Sequence, residues 1–419
     1  MRKRIRQWLE KNVDGAAEFL SLLIKAKSTA GYEQQAQDLI ANKFTSLGMD
    51  VDIWEQGGNE LLKHPYFVSP RSDFAGSPNV VGIWKGTGGG RSLIINGHID
   101  VVPPGELGQW SKSPWSGHIE DGKVYGRGST DMKGGIVSAI LAVEALKALG
   151  IKLKGDLIFE SVVEEESGGS GTLATILRGY RADAALIPEP SGMVIYPHQQ
   201  GSMWFRIKVK GLVAHGGTRY QGISAIEKAI IVIKQIGELE KERNLRLASE
   251  PLYRGVPIPI PINIGKINGG SWPSSVPDLV TLEGRMGVAP GEKLEDAQKE
   301  LEQSMLALQN VDTWFSKHPP TVEWFGARWL PGSIPHDHQL MSILTEAYRK
   351  VLNEDPKIKA SPWGTDGGLL TQLAGVPTVV FGPGATEVAH YPDEYIELKR
   401  VLEVAEIYAL AILEWCGVE

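Results

Sequence analysis

The residues best suited to chemistry are histidines and carboxylates that follow directly after apolar runs. The run SLIINGHID ends in His98 and Asp100, and the later segment YGRGSTDMKGG supplies Asp131. An ionisable side chain at the end of a buried strand is costly unless it is paired or binds something. We therefore interpret the stretch from Leu93 to Gly135 as the part of the chain around which a binding site is organised.

Further ionisable residues follow apolar runs downstream. LIFESVV leads into Glu164, Glu165 and Glu166, ADAALIP leads into Glu189, and VPTVVF precedes a loop that carries His390. In open α/β sheets, ligands bind outside the carboxyl ends of the strands, so four strands would direct these side chains to one edge. Each residue alone could be a satisfied polar group in a loop, but four agreeing strand ends favour a metal site.

The mixture of side chains narrows the choice of metal ion. Imidazoles with carboxylates and no thiolate suit zinc, or manganese and cobalt, better than calcium or magnesium. Two imidazoles and three carboxylates exceed what one tetrahedral zinc with an open position needs. They fit two ions about 3.5–4 Å apart that share a bridging carboxylate. We predict two divalent ions per subunit, Zn²⁺ before Co²⁺ or Mn²⁺.

The elements that must position these residues indicate an α/β fold in two domains, as expected for 419 residues. Runs that are apolar on both faces alternate with helical patterns, which is typical of a mostly parallel sheet covered by helices. From residue 201 the hydrophobic pattern changes. WFRIKVKG alternates apolar and polar positions, and it begins a β-α-β-β-α-β order of the ferredoxin-like type. We predict a catalytic domain from 1–200 and 327–419, and an inserted lid from 201–326.

Composition restricts partners and compartment. Forty-three basic and fifty acidic residues leave a net charge of −7, which argues against nucleic acid or an anionic membrane as the main partner. No run approaches the roughly 18 apolar residues of a membrane span, and the N-terminus is typical of an amphipathic helix and not of a signal peptide. The single cysteine, Cys416, excludes a disulfide within the chain and favours a cytoplasmic location.

The chain resembles the dinuclear zinc peptidase and deacylase family, the M20-like enzymes. This family includes acetylornithine deacetylase, succinyl-diaminopimelate desuccinylase, aminoacylase and the glutamate-releasing carboxypeptidases. The resemblance covers essentially the whole chain and rests on motifs that occur in family order: GHIDVVPPG, YGRGSTDMKGG, VVEEESGGSGT, IPEPSG, KGLVAHGG, GTDGG and AHYPDEY.

This resemblance implies a role for each residue of the strand-end cluster. Asp131 would bridge the two ions, with His98 and Glu189 completing one ion. Glu166 and His390 would complete the other ion. Glu165 corresponds to the general base of the family. Asp100 corresponds to a carboxylate that orients the His98 imidazole, a role that suits a histidine ligand.

The resemblance also implies residues that contact substrate. His215 corresponds to a lid histidine that, in dimeric members, reaches the partner's site to stabilise the oxyanion, and Arg285 to an arginine that holds a substrate carboxylate. Gly367 and Gly368 would allow close backbone approach to substrate. His215 could equally be a turn residue, and Arg285 a surface arginine on an antiparallel strand. Ser275 stands where many members have an asparagine, which weakens any transfer of substrate identity.

The predicted reaction is metal-dependent hydrolysis of an amide bond, removing an N-acyl group from an amino acid or related small amine. The substrate would be a small acyl-amino acid or a short peptide, and the lid histidine suggests a homodimer formed through the lid. A dipeptidase or carboxypeptidase with the same site is the alternative. A non-catalytic binding relative is the alternative of a different class, which the intact Glu165 and full ligand set disfavour.

Overall fold

The computed structural model describes all 419 residues. Its α-helices are α1 (Arg2–Lys25), α2 (Gln34–Ser46), α3 (Gly58–Leu62), α4 (Gly134–Ala148), α5 (Ser170–Leu177), α6 (Ala225–Leu245), α7 (Leu294–Ala307), α8 (Gln339–Leu352), α9 (Gly367–Ala374) and α10 (Leu398–Cys416). Its strands are β1 (Asp50–Glu55), β2 (Pro78–Trp84), β3 (Leu93–His98), β4 (His118–Glu120), β5 (Lys123–Tyr125), β6 (Leu157–Val162), β7 (Ala184–Ile187), β8 (Ile195–Gln199), β9 (Gly201–Lys210), β10 (Ala214–His215), β11 (Ile262–Gly269), β12 (Ser275–Val276), β13 (Leu279–Val288), β14 (Thr321–Trp329), β15 (Gly332–Ser333), β16 (Ile358–Ser361), β17 (Thr378–Val380) and β18 (Tyr395–Glu397).

Contacts divide the chain into two compact units. The first contains 1–198, 332–361 and 365–419, and the second contains 199–331 with 362–364. The segment predicted as a lid, 201–326, lies within the second unit. No helix in the structure has both the length and the apolar composition that crossing a membrane requires.

The first unit is built on a nine-stranded sheet in the order β1-β2-β6-β3-β7-β17-β8-β15, with β16 beside β8. The central strands β6, β3, β7 and β17 run parallel, and antiparallel strands flank them. Every residue of β3 and β6 is buried, as expected for strands covered on both faces. Because the four central strands are parallel, their carboxyl ends meet at one edge of the sheet. The predicted fold class is confirmed, with its parallel part at the centre.

Helix α4 lies in the middle of the first unit. It packs against both α1 and α10, and most of its residues are buried. This explains why its sequence is apolar almost all round, unlike a surface helix with one apolar face. The burial fixes the segment just before α4, which carries Asp131, relative to the sheet.

The second unit contains a four-stranded antiparallel sheet in the order β11-β13-β9-β14. Helices α6 and α7 contact each other, with α6 against β9, β11 and β13 and α7 against β14. The strand and helix order along the chain is the predicted β-α-β-β-α-β order, with the two-residue pair β10 and β12 added to it.

Candidate metal centre

His98 ends the central strand β3 and is almost fully buried. Its Nδ1 lies 2.8 Å from the backbone carbonyl oxygen of Asp100. A carbonyl oxygen only accepts hydrogen bonds, so Nδ1 carries the proton in this contact. The other ring nitrogen, Nε2, therefore faces the carboxylates, 3.3 Å from Asp131 Oδ1 and 3.6 Å from Glu189 Oε1. A neutral imidazole in this tautomer presents its free lone pair where a metal ligand is predicted.

Asp131 lies in a short turn, Ser129–Lys133, between β5 and α4. Its Oδ1 faces His98, and its Oδ2 lies 3.2 Å from Nε2 of His390. The His390 ring also lies 3.1 Å from Glu166 Oε1. Asp131 thus directs one oxygen toward each histidine, which is the geometry of a carboxylate shared by two ions.

The carboxylate of Asp100 contacts the turn that carries Glu165 and Glu166, which the sequence did not predict. Its two oxygens accept weak hydrogen bonds from the backbone N–H groups of Glu165 (3.4 Å) and Glu166 (3.2 Å). The same carboxylate lies 3.6 Å from Nδ1 of His98, farther than the carbonyl oxygen of its own residue. The backbone of Asp100 therefore orients the His98 ring, and its side chain holds the turn that carries Glu165 and Glu166.

Close packing brings the Asp131 segment to the end of β7. A side chain added at Gly135 would lie 1.9 Å from the carbonyl oxygen of Pro188, so only glycine permits this approach. Pro188 directly precedes Glu189, and the contact places Asp131 and Glu189 on the same side of His98. This explains the second glycine in the motif DMKGG.

The electrostatics of the cluster show strong coupling. Burial raises the pKa of Glu165 well above its usual range and that of Glu189 to about 7. Hydrogen bonds to Asp131 and Glu166 raise the pKa of His390 to about 10. Burial opposes protonation of His98, but Glu189, Asp131 and Asp100 outweigh it and raise its pKa well above the usual value. The carboxylates therefore draw positive charge into the cluster, and this environment favours divalent cations.

Two overlapping groups of side chains could each hold an ion. His98, Glu165 and Glu189 form one group, and His98, Asp131 and Glu166 form the other, with ligand atoms within 4.8 Å of one another in each group. His390 adds a second imidazole beside Asp131 and Glu166. The donor set of imidazoles and carboxylates without thiolate fits the predicted zinc, manganese or cobalt ions.

The predicted substrate residues of the second unit lie on its strands. His215 ends β10, where its Nδ1 accepts a hydrogen bond from the Gly217 N–H, and it pairs with Ser275 of β12. Arg285 lies on β13 between β9 and β11, where burial lowers its pKa, and no carboxylate partners it. Its side chain is partly buried, and a guanidinium at such a position is available to pair with an anionic ligand. The roles of His215 and Arg285 remain predictions.

Gly367 and Gly368 begin α9 in the first unit and are buried. The preceding Asp366 accepts a hydrogen bond from the Thr172 hydroxyl (2.6 Å), and burial raises the pKa of Asp366 to about 6. A side chain added at Gly332 would lie 3.2 Å from the Gly367 carbonyl oxygen, so β15 and α9 approach closely. A contact of the two glycines with substrate stays a prediction.

Two sets of ion pairs near the cluster, one around Arg127 and one around Arg71, were not predicted from the sequence. Arg127 forms a buried ion pair with Glu394, and Arg71 forms ion pairs with the buried carboxylates of Glu33 and Glu164. Arg127 and Glu394 lie inside the motif segments YGRGSTDMKGG and AHYPDEY, which was the available signal. Arg71 lies in a polar loop with no periodic pattern, so its sequence carried no signal.

Comparison with known proteins places this site in a family. A family model described as peptidase family M20/M25/M40 matches residues 94–414, which is most of the chain. The chain belongs to this family. It is 33% identical over 411 residues to N-formyl-4-amino-5-aminomethyl-2-methylpyrimidine deformylase of Halalkalibacterium halodurans, covering 93% of this chain and 90% of the relative.

Solved structures of M20-type folds superpose over nearly the whole chain. A tripeptidase of Staphylococcus aureus has a TM-score of 0.73 at 23% identity, covering 97% of this chain and 99% of its own. A dinuclear metal-binding M20 peptidase of Bacillus subtilis has a TM-score of 0.63 at 17% identity, covering 97% and 99%. These likenesses show the fold. The family match and the deformylase relative confirm the predicted family and the assignment of this M20 chain as a hydrolase of amide bonds.

Proposed function

We propose that this M20 chain is a two-metal deacylase that removes a short acyl group, formyl before acetyl or succinyl, from a small amine. The observation that carries the proposal is Asp131, whose two oxygens face His98 and His390 within one buried carboxylate cluster. The formyl preference is supported by the 33% identity to a deformylase of an aminomethylpyrimidine. Acetylornithine or succinyl-diaminopimelate deacylation is the alternative within the same chemistry.

Five residues of the first unit would hold the ions. His98 and Glu189 would bind one, Glu166 and His390 the other, and Asp131 both; Zn²⁺ is proposed first, with Co²⁺ or Mn²⁺ as alternatives. Two such ions would polarise the acyl carbonyl and lower the pKa of an attacking water. The carbonyl oxygen of Asp100 would keep the Nδ1 proton on His98 and leave Nε2 free to coordinate.

Glu165 is the proposed general base. It lies in the same group as His98 and Glu189, and its pKa is raised by burial, so it holds a proton more readily than an exposed glutamate. A carboxylate oxygen of Glu165 would take the proton of the attacking water and deliver it to the leaving nitrogen. Asp100 would support this by fixing the backbone N–H of Glu165. The products are a free amine and an acid.

The second unit is proposed to contact the substrate. His215 would donate a hydrogen bond to the oxygen that gains negative charge in the transition state. Arg285 would pair with a substrate carboxylate, which an acyl-amino acid or a dipeptide carries and an aminomethylpyrimidine lacks. Arg285 therefore distinguishes the two substrate classes, because its replacement would raise KM only for substrates with a carboxylate.

A homodimer formed through the second unit is also proposed. Three isoleucines, Ile226, Ile230 and Ile233, are exposed at helical spacing on α6, beside the face of the helix that is buried. An apolar stripe on the solvent side of a helix is typical of a protein–protein interface. His215 would then act at the site of the second copy, as in dimeric members of the family.

The decisive experiment combines metal analysis with a substrate panel. We expect about two ions per chain by mass spectrometry and amine release from an N-formyl-aminomethylpyrimidine in preference to N-acetyl and N-succinyl amino acids or dipeptides. The Arg285→Met variant should keep wild-type KM for the pyrimidine substrate. Absence of bound metal after incubation with zinc, cobalt or manganese would refute the proposal. Preference for dipeptides would indicate that the chain is a peptidase and not a deacylase.

A further inference from the structure

Arg127 and Glu394 form an ion pair that is buried beside the predicted metal ligands. Their side chains are 2% and 0% exposed, and Nη1 of Arg127 lies 2.5 Å from Oε2 of Glu394. The antiparallel pairing of β5 with β18 brings them together, since Tyr125 lies opposite Tyr395. One step beyond this ladder, the Gly126 N–H donates to the Glu394 carbonyl oxygen at 2.8 Å.

Each member of the pair holds the backbone of a different predicted ligand. Oε1 of Glu394 accepts hydrogen bonds from the backbone N–H groups of Thr130 (3.0 Å) and Asp131 (3.2 Å). Nη2 of Arg127 donates to the carbonyl oxygen of His390 (3.1 Å), and its Nη1 lies 3.5 Å from that of Tyr391. The pair therefore joins Asp131 to His390 through side chain and backbone, and no hydrogen bond links it to His98 or Glu189.

His390 needs such support. Its φ of 65° lies in the left-handed region, which a residue other than glycine seldom adopts. Its side chain is about half exposed, so packing does little to hold the ring. The hydrogen bond from Arg127 restrains the His390 backbone, and Asp131 and Glu166 contact the ring itself.

We propose that Arg127 and Glu394 are positioning residues for the ion held by Asp131, Glu166 and His390. They set the separation between Oδ2 of Asp131 and Nε2 of His390, which is 3.2 Å in the structure. The inference rests on the proposed two-ion site. It adds that the ligands the two ions do not share are supported by different parts of the chain, because the Asp100 carbonyl oxygen holds His98 and Arg127 holds His390, while both ions share Asp131.

The shape of the arginine side chain matters as well as its charge. A planar guanidinium can bind the Glu394 carboxylate and two backbone carbonyl oxygens at once, whereas an ammonium group cannot reach all three in this geometry. An Arg127→Lys variant therefore keeps the charge beside Glu394 but loses the restraint on His390. A Glu394→Gln variant is nearly identical in size but removes the charge that pairs with Arg127, so the guanidinium is no longer fixed where it holds the His390 carbonyl oxygen. Arg127→Lys keeps the ion pair and is the milder change for folding, so it should fold even if Glu394→Gln does not.

The test is a cobalt titration of the metal-free full chain, followed by visible absorption and checked by metal analysis after dialysis. The wild type should bind two cobalt ions in two phases. Both variants should bind the second ion about 10- to 100-fold more weakly, the usual effect of losing a residue that supports a ligand, with a smaller change in the first phase. Arg243→Lys is the matched control, because Arg243 is equally buried and pairs with Glu292 in the second unit.

The outcomes separate this inference from the proposed function. Two ions at wild-type affinity in both variants, or equal weakening of both phases, would overturn the positioning role while the deacylase proposal stands. A second phase weakened as much by Arg243→Lys as by Glu394→Gln would show a general effect of instability and would also overturn it. A wild-type chain that binds fewer than two ions would overturn the proposed site and this inference together.

Discussion

Replacing Arg71 by methionine should destabilise the first unit strongly, because two buried carboxylates depend on this side chain. Arg71 lies 2.8 Å from Glu33 Oε1 and 2.6 Å from Glu164 Oε1, and both glutamates are 0% exposed. Removing one partner of a buried ion pair costs roughly 3–5 kcal/mol. Arg71 is 19% exposed, and serine hydroxyls still donate to both carboxylates. We therefore expect the lower end, about 3 kcal/mol.

The predicted loss depends on pH in a definite direction. Burial raises the pKa of Glu33 above its usual value, although Ser77 and Arg71 partly oppose this. A carboxyl group with a raised pKa in the folded state costs stability above its unfolded pKa, and the cost disappears as the pH falls toward that value. Without Arg71 the pKa of Glu33 rises further. Arg71→Met should therefore lower the free energy of unfolding more at pH 8 than at pH 5.

Urea unfolding of the chelator-treated protein, followed by circular dichroism at both pH values, measures this effect. Arg178→Met is the matched control, because Arg178 pairs with Asp52 at side-chain exposures of 44% and 32%. Both arginines also lie over an aromatic ring, Arg71 over Phe74 at 4.9 Å and Arg178 over Trp54 at 4.5 Å. The control should lose about 1 kcal/mol or less. A deficit for Arg71→Met no larger than that of the control, or one that does not change with pH, would refute the reasoning.

Three further predictions concern the site and the interface. Glu165→Gln should lower kcat about 10²- to 10⁴-fold while both ions stay bound. Near-normal turnover with two ions bound would exclude Glu165 as the general base. Metal binding at pH 7 should release protons, since hydrogen bonds to Asp131 and Glu166 raise the pKa of His390 to about 10. Calorimetry at two pH values should show affinity rising up to about tenfold per pH unit for each proton displaced. Binding that does not change with pH would contradict this. Ile230→Glu should shift a dimer to monomer in sedimentation, whereas an unchanged mass would remove α6 from the interface.

The sequence predicted the layout of the first unit because its signals are local. β3 and β6 are short and largely apolar, and ionisable residues stand at or just after their carboxyl ends, which is how a buried parallel strand ending at a binding edge appears in a sequence. The antiparallel flank was not foreseen, because strand direction at β2 and β8 depends on how the chain crosses the sheet and not on residue pattern. Two-residue strands such as β10 and β12 are too short to produce any period.

The sequence could propose which residues form the cluster, but not which residues hold them in place. His98, Asp131 and Glu166 could be named because short contiguous motifs carry them, whereas the partners that hold them come from remote segments. Glu394 pairs with Arg127 across 267 residues, and Arg71 reaches Glu164 across 93. No local pattern encodes such contacts. The first arises when β5 pairs with β18, and the second when the loop before β2 lies beside the turn after β6. The side chain of Asp100 makes the same point at short range, because the sequence assigned its carboxylate to His98 alone and the structure also places it against the backbone of Glu165 and Glu166. Its orienting role toward His98 stays a prediction. A metal cluster rich in like charges needs its ligands fixed before the ions arrive, and these supports are what fixes them.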